Sequence, residues 1–123
     1  MIIAYLRGLE QAVDFVNNLL RDGAMMGCCP VNVAEIYAGM REKERNITEK
    51  LINSLRFFSA NLETAKLAGD MIRDLRNKGI TLALADAIIA AVVIQNDLIL
   101  VTYNKRHYTM PGIALISPDE SSR

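Results

Sequence analysis

Thr81–Asn104 reads TLALADAIIAAVVIQNDLILVTYN, and the reading of this stretch decides the fold. From Leu82 to Ile94 every residue is apolar except Asp86. A helix that is apolar all round has no solvent face and belongs inside a domain. Thr81 is placed to cap its start, because its hydroxyl can accept from a free N–H of the first turn. Asn96 and Asp97 make a short polar turn, and Leu98–Val101 is then a continuous apolar run ending in Thr102. Such a run between turn signals fits a strand covered on both faces, as in a parallel sheet. Thr102 and Asn104 fall at that strand's carboxyl end, the edge where ligands of open α/β sheets gather.

Asp86 is the residue this stretch leaves to be explained. A carboxylate inside an apolar helix is costly unless something pairs with it. It can serve the helix dipole as an early-turn acid or cap a neighbouring loop. It can pair with a buried Arg, since structural ion pairs also bury acids. It can also be a ligand for a divalent cation, which requires partners elsewhere in the chain.

Length and composition limit the possibilities. The 123 residues suffice for one domain, 1–123, with a real core. Formal net charge is zero, so bulk charge gives no sign of a nucleic-acid or membrane partner, and a nucleic-acid enzyme would need a local basic patch. Cys28 and Cys29 are adjacent within an apolar run and read as reduced core residues, which fits a reducing cytoplasm. One His and two Cys without spacing argue against a structural zinc site. The longest apolar run falls short of the roughly 20 residues of a membrane span, and MIIAYLRG lacks the basic lead of a signal peptide.

Outward from the central stretch, helices and short strands alternate. Gly8 can end an opening helical turn. Ala12, Val13, Phe15, Val16, Leu19 and Leu20 share one helical stripe over Gln11–Arg21, ahead of the Asp22-Gly23 turn. Ala24–Cys29 reads as a strand stopped at Pro30. Asn32 opens a helix to about Met40, Arg41–Asn46 is a solvated charged turn, and Thr48–Asn53 is helical. Leu55–Ser59 is a further strand. Asn61 starts a longer helix with the stripe Leu62, Ala65, Ala68, Ile72 and Leu75, closed at Gly79. Met110-Pro111-Gly112 turns into a last strand, Ile113–Ile116. Short strands separated by helices give an α/β class with a parallel sheet and helices on both faces.

Glu35 is the second acid of interest. Asn32-x-x-Glu35 has the spacing of a capping box, yet Glu35 also follows a strand end, as Asp86 precedes one. Both carboxylates can then point into one strand-end cleft. Two such acids repel, and a hard divalent ion relieves that. Mg²⁺ takes one or two carboxylates plus phosphate oxygens, which suits metal-assisted phosphodiester hydrolysis. Asn104 either holds water or phosphate there or is a plain turn residue. Lys105, Arg106 and His107 form a solvated loop or contact phosphates, and His107 is also a candidate general base.

Four segments carry a resemblance to the PIN-domain family, most of all to VapC-type ribonuclease toxins: IIAYLRG (Ile2–Gly8), PVNVAEIYAGM (Pro30–Met40), LALADAIIAA (Leu82–Ala91) and LILVTYNKRHY (Leu98–Tyr108). The resemblance implies a central parallel sheet with helices on both faces. It maps the family's second and third acids to Glu35 and Asp86, and the fourth acidic position to Asn104. It implies Mg²⁺- or Mn²⁺-dependent endoribonuclease activity, a small antitoxin partner, and a homodimer. Arg7, Thr102, Lys105 and Arg106 would then meet the RNA. Members of the family begin with a strand and an Asp, in a motif like DTSxLIAYLRG, whereas Met1-Ile2-Ile3 falls inside that motif. The expectation is a start upstream of Met1. The alternative is an impaired nuclease that only binds antitoxin or RNA, its sheet lacking a middle strand. Two further readings stand beside these: an interaction domain with Asp86 in a salt bridge, and a receiver domain, which lacks the acid pair expected after a first strand.

Overall fold

A computed structural model describes residues 18, 21–23, 25–102 and 105–117. The stripe over Gln11–Arg21, Arg7 and Asn104 therefore lie wholly or largely outside the described residues, as does any strand ahead of Ile2. The described chain runs β1 (Gly27–Cys28), α1 (Pro30–Gly39), α2 (Arg45–Ser54), β2 (Arg56–Phe57), α3 (Leu62–Asn77), α4 (Leu84–Gln95), β3 (Ile99–Val101) and β4 (Ala114–Ile116). The class is α/β with parallel strands, as the sequence pattern implies.

Every described ladder is parallel. β1 pairs with β2, Gly27 opposite Arg56 and Cys28 opposite Phe57. β3 pairs with β4, Ile99 opposite Ala114 and Val101 opposite Ile116. Among the described residues these are two separate pairs rather than one sheet. Ile99 is 65% exposed, so β3 is not covered on both faces as its apolar run suggested. Gly27 has a packing reason: a Cβ there would lie 2.5 Å from Cε2 of Phe58, whose ring also receives the Arg56 guanidinium at 5.1 Å.

The helix starts show which local signals prevailed. α1 begins at Pro30, two residues before Asn32. Proline has no N–H to satisfy and a preset φ, so it favours the first helical position. Asn32 then becomes a partner within the turn, its Oδ1 accepting from the Cys29 N–H at 2.9 Å. Glu35 thus lies on the second turn of α1, outside the capping arrangement its spacing suggested. α2 begins earlier than Thr48 because a 3-10 turn at Glu42–Glu44 feeds it. The Thr48 hydroxyl, fully buried, donates back to the Glu44 carbonyl at 2.8 Å. Arg45 and Glu42 pair at 2.9 Å with both side chains exposed, a solvated face that adds little stability.

Asn61 caps α3 as its sequence position implies. Its Oδ1 accepts from the Thr64 N–H at 3.1 Å, and Thr64 Oγ1 accepts from the Asn61 N–H at 3.0 Å. Asn61→Ala is expected to cost about 1 kcal/mol and lower Tm by about 4 °C, measured by calorimetry. α3 and α4 end alike. Gly79 (φ 79°) lets the Ile80 N–H reach the Leu75 carbonyl at 2.9 Å. Asp97 (φ 53°) lets the Leu98 N–H reach the Val93 carbonyl, also at 2.9 Å.

α4 begins at Leu84, with Ala83 rather than Thr81 at the cap position and no side-chain cap. Leu82 stays outside the helix because its side chain is buried in the core from the extended segment before it. One side of α4 (Ala87, Ala90, Ala91) packs with Ala68, Met71 and Leu75 of α3 and with Tyr108 and Met110. Its other side (Ile89, Val92, Val93) packs with Cys29, Val31 and Phe58. The small residues between α3 and α4 allow the two axes to approach closely. Both cysteines are free and buried. Burial first, and the neighbouring Cys29 second, push the Cys28 thiol upward, which suits an unreactive core thiol. No described helix is long and apolar enough to cross a membrane.

Candidate acidic site at the strand ends

α4 turns tightly into β3 and packs on it, so its first turn returns to the carboxyl end of β3. Asp86 lies in that first turn, where unpaired N–H groups and the helix dipole favour a negative charge. Its side chain is 28% exposed rather than fully buried. The opposite wall comes from the segment after β3. The Thr102 N–H donates to the Ile116 carbonyl at 3.0 Å, and the chain then forms a 3-10 turn at Lys105–His107. That turn is closed by the Tyr108 N–H on the Lys105 carbonyl at 3.0 Å.

This turn sends two adjacent side chains to one carboxylate. The buried Tyr108 hydroxyl donates to Asp86 Oδ1 at 3.0 Å. His107 Nδ1 lies 3.6 Å from Asp86 Oδ2, with the imidazole half exposed. Among the described residues no Lys or Arg nitrogen is paired with Asp86 within 4.0 Å; the imidazole of His107 is its neighbour at Oδ2. Burial is the first cause that raises the Tyr108 pKa; the Asp86 charge, the hydrogen bond to Asp86 and the Glu35 charge follow. The phenol therefore stays a neutral donor at neutral pH. Glu35, exposed on α1, is a lesser contributor to the same upward shift.

The candidate residues separate accordingly. Asp86, His107 and Tyr108 are in contact, with Glu35 in electrostatic reach. Thr102 is buried at the strand end, Lys105 is half-buried and Arg106 exposed on the adjoining turn. Asn104 and Arg7 lie outside the described residues. Tyr108 is the partner that sequence reasoning missed. It lies 22 residues from Asp86, and no spacing rule links a helix start to a turn beyond the next strand. Its one signal was a Tyr closing a basic run. Among the described residues no three His, Cys, Asp or Glu side chains converge as a set able to hold an ion. Glu35 and Asp86 are nonetheless hard oxygen donors of the kind Mg²⁺ takes one or two of, beside its waters.

The chain is similar to known proteins over most of its length. The PIN domain family matches residues 1–113. Ribonuclease VapC10 of Mycobacterium tuberculosis is 36% identical over 110 residues, covering 89% of this chain and 82% of that protein. Ribonuclease VapC19 of the same organism is 27% identical over 108 residues, covering 88% of this chain and 86% of that one. Among solved structures, VapBC2 from Rickettsia felis, bound to a DNA fragment from their promoter, superposes with a TM-score of 0.78. That match covers 94% of this chain and 92% of the other at 19% identity, a likeness of fold. DNA-bound VapBC from Salmonella typhimurium gives a TM-score of 0.76 at 24% identity, covering 95% and 92%.

Proposed function

We infer, from the premise that this chain belongs to the PIN-domain family, that it is a metal-dependent endoribonuclease and the toxin of a toxin–antitoxin pair. The observation that carries this reading is the partly exposed Asp86 carboxylate at the first turn of a core helix, held by the Tyr108 hydroxyl. The names of the similar proteins, ribonucleases and VapBC complexes, support the same class of activity.

In this reading Asp86 and Glu35 hold Mg²⁺ or Mn²⁺, and Asn104 assists them. When bound, the ion supplies charge stabilisation at the phosphodiester and eases deprotonation of the attacking water. Lys105 and Arg106 stand on the turn beside Asp86 and, with Arg7, neutralise backbone phosphates. Thr102 fixes the strand end from which that turn departs. The rest of the proposal is a single domain over 1–123, a small antitoxin partner, a homodimer and a cytoplasmic location.

The second reading, a domain that binds antitoxin or RNA without cutting, is favoured by one observation: no three metal-ligating side chains converge among the described residues. Cleavage of total bacterial RNA by the purified chain, with EDTA and with Mn²⁺, separates the two. Cleavage is expected to vanish in EDTA and return with Mn²⁺. Glu35→Gln is expected to lower it about a hundredfold, the rate equivalent of roughly 3 kcal/mol. Cleavage indifferent to EDTA overturns the metal reading. No cleavage at all, with Tm unmoved by Mn²⁺, leaves the binding reading.

A further inference from the structure

We propose that Tyr108 is a positioning residue for Asp86: its hydroxyl holds Oδ1 and so fixes the carboxylate in the orientation that receives a divalent cation. The inference rests on the metal-dependent reading above and adds to it a residue outside the acidic set.

Three observations carry it. The hydroxyl donates to Oδ1 at 3.0 Å, so one oxygen is tied by the phenol while Oδ2 faces the half-exposed His107 imidazole, whose Nδ1 lies 3.6 Å away. The ring is 7% exposed and packs with Leu82, Ala87 and Met110, so the donor is anchored by the core and cannot follow a rotating carboxylate. Ala87 is the neighbour of Asp86 on α4 and is fully buried, so the backbone carrying the acid is held by the same cluster. A Phe would fill the same space; the hydroxyl is what a core role alone does not require. Partners behind a ligating carboxylate orient it, and losing one typically weakens metal binding by about 10–100-fold.

Tyr108→Phe tests this in the full chain. Mn²⁺ is titrated into the RNA-free protein and followed by calorimetry and by the rise in Tm. The half-saturating concentration is expected to rise about tenfold. At saturating Mn²⁺ the variant's kcat on RNA should return to within about threefold of wild type, because the ligand itself remains. Met110→Leu, a packing change in the same cluster, is expected to shift Tm without moving the Mn²⁺ curve. If Tyr108→Phe and wild type give superimposable Mn²⁺ curves, the hydroxyl is structural and the proposal fails alone. If Met110→Leu shifts the Mn²⁺ curve as far as Tyr108→Phe, packing rather than the hydroxyl is responsible, and the proposal again fails. If wild type itself binds no Mn²⁺, the metal-dependent reading fails and takes this one with it.

Discussion

Asp86→Asn is expected to lower Mn²⁺-dependent RNA cleavage about a thousandfold, roughly 4 kcal/mol of transition-state stabilisation, while the protein stays folded. The two halves of this expectation have separate causes. The amide keeps an oxygen where Asp86 Oδ1 now accepts from Tyr108 at 3.0 Å, so the buried phenol retains an acceptor. It removes a negative charge from a partly buried carboxylate, which lowers its desolvation cost in the metal-free protein. Stability should therefore change by less than about 1 kcal/mol in either direction. An uncharged ligand holds a divalent ion far less well, and the loss of activity follows from that. Thermal melts without metal, beside cleavage rates across a Mn²⁺ range, measure both. A variant that unfolds yet keeps its specific activity would show Asp86 to be a structural acid serving only its helix and Tyr108.

What the sequence made legible follows from how far each signal reaches along the chain. The apolar character of α4 was plain because burial on two sides leaves no polar stripe, and between Leu82 and Ile94 Asp86 stood out as the one exception. The cap at Asn61 and the closures at Gly79 and Asp97 were legible because each depends on neighbours a few residues away. Strand lengths were overread. β1 and β2 are two-residue ladders within the longer stretches Ala24–Cys29 and Leu55–Ser59, because pairing extends only where a partner strand runs alongside, which one strand's composition does not record. The Asn32–Glu35 spacing misled because Pro30 set the helix start first. At the candidate site the two acids could be singled out one at a time, but Tyr108 could not. Its bond to Asp86 depends on a 3-10 turn bringing a residue 22 positions away back to a helix start. That is a tertiary contact with no local pattern.

Leu75→Ala is expected to destabilise the protein by about 3 kcal/mol and lower Tm by about 10 °C, whereas Leu62→Ala should change stability by less than about 0.5 kcal/mol. Both leucines lie on α3 and on the one stripe that periodicity proposes, yet their surroundings differ. Leu75 is 4% exposed and Leu62 67% exposed. The face that packs is Thr64, Ala68, Met71 and Leu75, turned from the sequence stripe because the polar Thr64 is fixed inward. Its hydroxyl donates to Gln95 Oε1 of α4 at 2.7 Å, which sets the rotation of α3 about its own axis. Truncating Leu75 leaves a void in the core cluster it shares with Ala68, Met71 and α4, which the neighbours only partly fill. Leu62 is mostly solvated and outside the core clusters, so its truncation opens no core void. Urea titration of both variants measures the difference, and equal losses would show that α3 presents the sequence stripe after all. Because Leu75 shares its cluster with Tyr108 and with the neighbour of Asp86, thermal loss of RNA cleavage in Leu75→Ala should follow the melting curve downward by the same interval. A site that survived above that temperature would have to be held by something other than this core.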